Sequence, residues 1–381
     1  MKKYSTAKKI GYGTIAVIFF IFLVEAIASI AEYQIDGKYA LATIGLFKGA
    51  EKTVHDQKVK KRNYEHEELV RKDSSQKTNQ QISDENADAN RLVYEPWLEY
   101  RNADFAGQFV NIKGLNRLTQ PSIAGGTHRS DAVTIFFFGG STMYGFNVAD
   151  NETIPSFFTE LYQQQFPNER PIKVFNYGIP YYYSYQELLL LTNLLYKGNQ
   201  PSLVIFLDGL NDCLQANSSV NRQPYYTSAF EQLFLNNDKD THFNDSSAIM
   251  YAPPASTDIP GFSEKIVVNL LENFSSIKKI SSAFNTKPFF FIQPVPYYHY
   301  PNRAKDPICI KNDLPQFNYV YPALQQKSKE ANDMFFLGDM LQNEKDYPFI
   351  DNIHYSPMMN KKIAQSIGDK VFDKIIHFSK N

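Results

Sequence analysis

Residues 133–142 have the sequence VTIFFFGGST, and this stretch decides the fold. It begins with a continuous β-branched and aromatic run, which is typical of a strand buried on both faces. The two glycines allow a tight turn where a side chain would clash. We therefore expect Ser141 at the carboxyl end of a central strand, where open α/β sheets bind ligands. Taken alone, the motif also fits an ordinary strand-to-helix connection with Ser141 or Thr142 as the helix cap.

The composition of the chain limits which ligands and cofactors we expect the protein to bind. The chain has 381 residues and a formal net charge of -1, so its bulk charge gives no reason to expect nucleic acid binding. Its two cysteines, Cys213 and Cys309, form no CxxC motif, and no Cys/His cluster has metal-ligand spacing. We expect no metal and no other cofactor.

The N-terminal region predicts a membrane anchor. Residues 1–9 contain four lysines, and residues 10–31 are almost entirely apolar. As a helix, the second segment would be about 33 Å long at about 1.5 Å per residue, enough to cross a bilayer. The lysines predict a cytoplasmic N-terminus at the inner membrane, with the rest of the chain periplasmic or extracellular. A cleaved signal peptide with an A-x-A site at residues 26–28 is the alternative.

A polar composition predicts that residues 32–91 are a membrane-proximal segment and linker, and that a globular domain spans residues 92–381. Within this domain, strand and helix patterns alternate, which predicts βαβ units and a mostly parallel sheet. The strand candidates of these units are 133–138, 172–176, 203–207, 288–293 and 334–337. Before them, residues 95–101 and 109–117 are expected to form two short strands with a glycine turn. The helix candidates are 153–165, 184–197, 262–284, 319–331 and 357–377. The polar stretch 217–256 is expected to be a long irregular segment.

Four polar motifs follow predicted strands or precede the last helix, and they are therefore expected to converge on one rim. Together they supply the groups that acyl transfer needs. Ser141 is the candidate nucleophile, and His354 is the base that a serine hydroxyl requires. Asp351 lies three residues before His354 and can orient its imidazole. Asn211 has an amide that can donate to a developing oxyanion.

In this order, the motifs Gly-Gly-Ser-Thr, Asn-x-Gly, Gly-x-Asn-Asp and Asp-x-x-His resemble those of the SGNH (GDSL-like) hydrolase superfamily, over about residues 95–377. The Gly-Gly-Ser-Thr form is similar to its membrane-anchored bacterial branch. The resemblance implies a flavodoxin-like, three-layer α/β/α fold with a five-stranded, mostly parallel sheet in the order 2-1-3-4-5. It also implies ester or acyl-transfer chemistry, with Ser141, Asp351 and His354 as a catalytic triad and Asn211 as an oxyanion donor.

Two positions depart from the family pattern. Gly140 stands where the family usually has an aspartate before the serine, and Tyr181 stands where a glycine donor is expected, three residues after Gly178. The backbone N–H of Tyr181 can still donate, although a positive φ would strain a tyrosine. Gly178 and Tyr181 are thus candidate backbone donors of the oxyanion hole, beside the N–H of Ser141.

Some residues have competing interpretations. His299 is an alternative candidate for the general base, and Asp339 is an alternative candidate for the carboxylate that orients the base. Asn211 could simply cap a helix. We also predict a disulfide between Cys213 and Cys309, because they follow neighbouring strands in the implied order and export would preserve the bond.

The sequence therefore predicts an anchored, exported serine esterase that removes O-acyl groups, with acetyl favoured, from a glycan or another ester of the cell envelope. Tyrosines at 181–183, 225–226 and 297–298 would suit sugar faces or acyl chains. The alternatives are an O-acyltransferase that forms the same acyl-enzyme, a lipase or lysophospholipase, and a catalytically inactive glycan-binding module.

Overall fold

A computed structural model describes residues 76–121, 131–215, 258–306 and 314–377. The predicted anchor at residues 10–31, most of the predicted linker and the stretch 217–256 lie outside these ranges. Among the helices of the described ranges, none is long and apolar enough to cross a membrane.

From residue 133 onward, strands alternate with helices, as predicted. The strands are β1 (Leu92–Glu95), β2 (Glu99–Asn102), β3 (Phe105–Ala106), β4 (Asn111–Lys113), β5 (Asn116–Arg117), β6 (Val133–Gly139), β7 (Ile172–Asn176), β8 (Leu203–Asp208), β9 (Lys287–Ile292) and β10 (Met334–Phe336). The helices are α1 (Gln76–Ala89), α2 (Ser141–Tyr144), α3 (Ile154–Gln165), α4 (Ser184–Tyr196), α5 (Leu210–Gln215), α6 (Ile259–Ala283), α7 (Phe317–Ser328) and α8 (Pro357–Ile376). Short 3₁₀ turns occur at Asp150–Glu152 and Gly338–Leu341.

A parallel sheet forms the centre of the fold. Its parallel strands lie in the order β10-β9-β8-β6-β7. In chain order, these are the five predicted strands in the predicted arrangement 2-1-3-4-5. Parallel strands all end at the same edge of the sheet, so the segments that follow β6, β7 and β8 emerge side by side.

The sheet has eight strands, so the prediction of five was wrong. β3, β4 and β5 continue the sheet in antiparallel fashion beyond β7, where Arg117 pairs with Asn176. β1 and β2 form a separate antiparallel hairpin. The added strands cover the edge that β7 would otherwise expose. β4 and β5 lie within the short strand segment expected at residues 109–117, on either side of its glycine turn. Their pairing with the main sheet was not predicted, because each contains only two or three residues, too few for a hydrophobic period.

Helices cover both faces of the sheet. α4, α6 and α7 share a core with Phe136 and Phe138 of β6, whereas α3 and α8 share a second core with Ile135 and Phe137. All four strand side chains are at most 2% exposed. The prediction that this strand is buried on both faces is therefore confirmed, and the architecture has three layers.

Helix α1 lies within the stretch predicted to be a linker. It packs on the domain through Ile82 and Ala89, which are both buried. Its Glu85 carboxylate accepts the backbone N–H groups of Gln108, Phe109 and Val110 at 2.9, 2.7 and 3.0 Å. The folded part of the chain thus begins before residue 92. The helix is polar and attaches largely by hydrogen bonds, which a hydrophobic pattern does not reveal.

Candidate active site

Ser141 lies at the turn that the sequence predicts. β6 ends at Gly139, and Ser141 is the first residue of α2, so its backbone N–H has no acceptor within that helix. A Cβ on Gly140 would collide with Nδ2 of Asn211 and lie 3.0 Å from the carbonyl oxygen of Tyr182. Glycine is therefore needed at position 140 because the Asn211 amide occupies the space of a side chain.

Three predicted site residues form one chain of hydrogen bonds. Nε2 of His354 lies 2.8 Å from Oγ of Ser141, and Nδ1 of His354 lies 2.6 Å from Oδ2 of Asp351. The second carboxylate oxygen, Oδ1 of Asp351, accepts the backbone N–H groups of Ile353 and His354 at 3.0 and 2.8 Å. The three-residue spacing from Asp351 to His354 therefore closes a tight loop that fixes both side chains.

The electrostatics favour one tautomer of His354. Burial raises the pKa of Asp351, but the charge and hydrogen bond of His354 and the two backbone N–H donors outweigh burial, so the net pKa is below the ordinary value. Asp351 is then ionised at neutral pH and holds the proton on Nδ1, which leaves Nε2 free to accept the Ser141 proton. The Phe146 ring packs against the imidazole, with ring centroids 4.7 Å apart.

Asn211 lies beside the serine turn at the start of α5. Its Nδ2 donates to the carbonyl oxygen of Tyr182 at 2.7 Å, which uses one of the two amide protons. The same nitrogen lies against Gly140, the residue that precedes Ser141. The structure thus brings Asn211 to the triad residues, as predicted from its place after β8.

Gly178 has a different role from the predicted one. Its N–H donates to Oδ1 of Asn176 at 3.0 Å, so it is engaged within its own loop rather than available to an oxyanion. A Cβ on Gly178 would collide with the backbone of Tyr144 and Met143 in α2. Gly178 therefore allows the loop after β7 to approach the serine helix, and its assignment as an oxyanion donor is corrected to one of close packing.

Tyr181 has the strained backbone that its alignment with a glycine predicted, with φ at 69°. The flanking residues hold it there. The Tyr182 hydroxyl donates to the carbonyl oxygens of Leu98 and Tyr100 at 3.0 and 2.6 Å, and the Tyr100 hydroxyl donates to Pro180 at 3.2 Å. The β1–β2 hairpin thus stabilises the strained turn. The use of the Tyr181 N–H as an oxyanion donor stays a prediction.

The two rival residues pair with one another. Nδ1 of His299 lies 2.6 Å from Oδ1 of Asp339, and Gln325 donates to Oδ2 of Asp339 at 2.5 Å. The pair is far more open to solvent than the triad residues, with side-chain exposures of 45% and 39% against 13% for His354. Within the described residues, His299–Asp339 and His354–Asp351 thus share the same Nδ1–carboxylate distance, and the pair at His354 is hydrogen-bonded to Ser141.

The predicted disulfide is not formed at Cys213. This residue is a free cysteine, fully buried in the core beside the sheet, and burial raises the pKa of its thiol well above the ordinary value. Its predicted partner, Cys309, lies outside the described residues.

A set of buried carboxyl groups lies beneath Asn211. Glu187, Asp208 and Asp212 are at most 8% exposed, and burial raises the pKa of all three. The Ser184 hydroxyl donates to Asp212 at 2.5 Å, and the backbone N–H of Gly209 donates to it at 3.4 Å. This set anchors the turn that carries Asn211. Across the part of the chain that the structure describes, no cluster of His, Cys, Asp and Glu has the arrangement of a metal site.

The fold and the site together define an α/β protein with a serine, a histidine and an aspartate hydrogen-bonded at the carboxyl edge of a parallel sheet. No protein-family profile and no curated protein matches the chain. Structural comparison matches it to esterase EstA from Pseudoalteromonas sp., at 15% identity and a TM-score of 0.37 over 64% of this chain and 98% of the esterase.

The names of two further matched structures refer to esterases that act on carbohydrates. A carbohydrate acetylesterase family member from Sinorhizobium meliloti is 13% identical, with a TM-score of 0.38 over 64% of this chain and 99% of that one. The acetylxylan esterase Axe2 from Geobacillus stearothermophilus is 14% identical, with a TM-score of 0.37 over 65% of this chain and 94% of that one. Likeness at this level does not define the reaction, so the function is inferred from the site.

Proposed function

We propose that the protein is a serine ester hydrolase in which Ser141 attacks the substrate carbonyl. The observation that carries this proposal is the hydrogen-bonded chain from Ser141 through His354 to Asp351. As the Ser141 oxygen bonds to the carbonyl carbon, His354 takes its proton at Nε2 and then delivers it to the leaving alcohol. Water next attacks the acyl-enzyme while His354 takes its proton. His354 then returns that proton to Oγ of Ser141 as the bond to the acyl carbon breaks and the carboxylic acid leaves.

The negative charge that develops on the carbonyl oxygen needs donors near Ser141. The Nδ2 group of Asn211 and the backbone N–H of Ser141 supply two, both held by secondary structure before the substrate binds. Donors that are fixed in advance need not reorganise as the charge develops. Asp351 stays ionised throughout and stabilises the imidazolium form of His354.

For the substrate, we propose an O-acyl ester, with acetyl favoured, on a glycan or lipid of the cell envelope. This part rests on the predicted export of the domain. The tyrosine clusters support it less than the sequence suggested. Tyr182 and Tyr183 are buried and Tyr297 and Tyr298 are at most 6% exposed, so these rings belong to the core rather than to an open rim.

Acyl release from O-acetylated glycans, acylated lipids and simple aryl esters tests the proposal. We expect free carboxylate from at least the aryl acetate, with the natural class showing the highest kcat/KM. Addition of a deacetylated sugar distinguishes the transferase, because an acyl-enzyme resolved by a sugar hydroxyl would give acylated sugar instead of free acid. If the protein released no acyl group from any ester, with or without an acceptor, the proposal would be wrong.

Asn211→Ala is expected to lower kcat by about 10² to 10³, with little change in KM, because the transition state loses a donor that the ground state barely uses. Asn199→Ala is a suitable control. Like Asn211, Asn199 donates through Nδ2 to a backbone carbonyl oxygen, that of Leu194 at 2.9 Å, but it precedes β8 at the opposite end of the sheet from Ser141. If the Asn211 variant retained kcat within about threefold of the unmodified protein, its amide would not be an oxyanion donor.

A further inference from the structure

A fourth side chain reaches the hydrogen-bonded triad. Nδ2 of Asn147 donates to Oδ2 of Asp351 at 2.6 Å. This is the same carboxylate oxygen that lies 2.6 Å from Nδ1 of His354. With the two backbone N–H groups on Oδ1, the Asp351 carboxylate therefore has donors on both oxygens, and Asn147 is the one that shares an oxygen with the base.

Asn147 adopts an unusual backbone conformation, with φ at 62°. Asparagine tolerates this left-handed region better than most residues, but the conformation still needs support from its surroundings. The loop around it is held on one side by Arg117, whose guanidinium donates to the carbonyl oxygens of Tyr144, Gly145 and Val148. Arg117 is neutralised by Asp150 at 3.1 Å, and both side chains are almost completely buried.

Helix α1 holds the other side of the loop. Oδ1 of Asn86 accepts the backbone N–H of Asn147 at 3.0 Å, and Nδ2 of Asn86 donates to the carbonyl oxygen of Val148 at 3.2 Å. Nδ2 also donates to Ile82 within the helix at 2.9 Å. Asn86 is completely buried, so its amide groups are committed to these partners. A continuous path of hydrogen bonds thus runs from α1 through Asn147 to Asp351.

We propose that Asn147 is a positioning residue that fixes the Asp351 carboxylate against His354, and that Asn86 of α1 holds Asn147 in place. This inference rests on the proposed function of the triad. It makes α1, which the sequence places in a linker, part of the catalytic apparatus. The segment that precedes residue 92 is thereby linked by hydrogen bonds to Asp351, the carboxylate of the triad.

Loss of the Asn147 donor has a signature beyond a loss of rate. Hydrogen-bond donors help to hold the pKa of the Asp351 carboxyl below its ordinary value, so that pKa rises when the Asn147 donor is removed. The acid limb of the pH profile of kcat/KM should then move upward. The other side chains bonded to or stacked on the His354 ring, Ser141 and Phe146, are uncharged, and the Arg117–Asp150 ion pair of the loop is unchanged.

The test uses Asn147→Gly in the full chain, because glycine accepts a positive φ, so the substitution removes the side chain without straining the backbone. We expect kcat/KM to fall at least about tenfold, mainly through a lower kcat. We also expect the acid limb of the pH profile to move to higher pH by about half a unit. Asn285→Gly is the matched control, because Asn285 also has a positive φ, 55°, but precedes β9 at the opposite end of the sheet. It should leave both quantities unchanged.

Asn147→Asp provides a second, nearly isosteric variant, which loses the donor and adds a charge. We expect a larger loss and a further upward shift of the acid limb. Asn86→Ala should lower kcat/KM less than Asn147→Gly, and the double variant should be no worse than Asn147→Gly alone, because both act through one path. Additive losses would overturn the role of Asn86.

The role of Asn147 would be overturned if both Asn147 variants kept the kcat/KM of the unmodified protein and the same acid limb of the pH profile. It would also be overturned if Asn285→Gly lost as much kcat/KM as Asn147→Gly. The rate at which an aryl phosphonate labels Ser141 separates this failure from failure of the proposed function. If the unmodified protein is labelled and Asn147→Gly is labelled equally fast, the positioning role alone is wrong. If the unmodified protein is not labelled, the triad assignment itself is wrong.

Discussion

Replacement of Ser141 by alanine is expected to lower kcat for an aryl acetate by on the order of 10⁶, to the level of residual catalysis by the surrounding groups. The Ser141 hydroxyl is the only group of the proposed mechanism that forms a covalent bond to the substrate. The side chain is 7% exposed and lies at the start of a short helix, so alanine removes only the hydroxyl and the melting temperature should change little.

The neighbouring hydroxyl provides the control for Ser141. Thr142 is buried in the same turn, and its Oγ1 lies 3.4 Å from Oε1 of Gln293. Thr142→Val should retain kcat within about tenfold, because its hydroxyl takes no part in proton transfer to His354. Comparable turnover by Ser141→Ala and the unmodified protein would show that another group is the nucleophile.

Replacement of His354 by alanine is expected to lower kcat by about 10⁵ or more, because the serine then has no base. His299→Ala is a closely matched control. Both histidines lie 2.6 Å from an aspartate through Nδ1, and only His354 is hydrogen-bonded to Ser141. His299→Ala should therefore retain most of the activity. Measurement of kcat for both variants decides which histidine is the base for Ser141. A loss of activity in His299→Ala alone would assign that role to His299.

Much of the fold follows from one strand and its neighbours. The unbroken apolar run of β6 predicts burial on both faces, and Phe136 and Phe137 indeed point into opposite cores. The alternation of strands and helices then predicts parallel pairing. β4 and β5 lie within the short strand segment expected at residues 109–117 and flank its glycine turn. Their addition to the sheet beside β7 could not be foreseen, because strands of two or three residues depend on partners distant in sequence. The attachment of helix α1 to the domain was not predicted, because it depends on Glu85 and Asn86, which resemble surface residues in a polar segment.

The sequence predicted those site residues that have a side chain suited to acyl transfer and also lie at the carboxyl edge of the sheet. Ser141, Asn211 and His354 each follow or flank a predicted element at one edge of the sheet, so the parallel order alone brings them together. Asn147 carried no such signal, because its role arises from a left-handed backbone and a contact with a loop about 200 residues later. The packing role of Gly178 likewise depends on how closely α2 approaches, which spacing in the sequence does not specify.

The most direct test of the central claim is the site of covalent attachment. The protein is incubated with an aryl phosphonate, digested, and mapped by mass spectrometry. The proposed mechanism predicts one phosphonyl group on Ser141 in the unmodified protein, much slower labelling in His354→Ala and none in Ser141→Ala. A phosphonyl group on another residue, or labelling of Ser141 at an undiminished rate in His354→Ala, would contradict it.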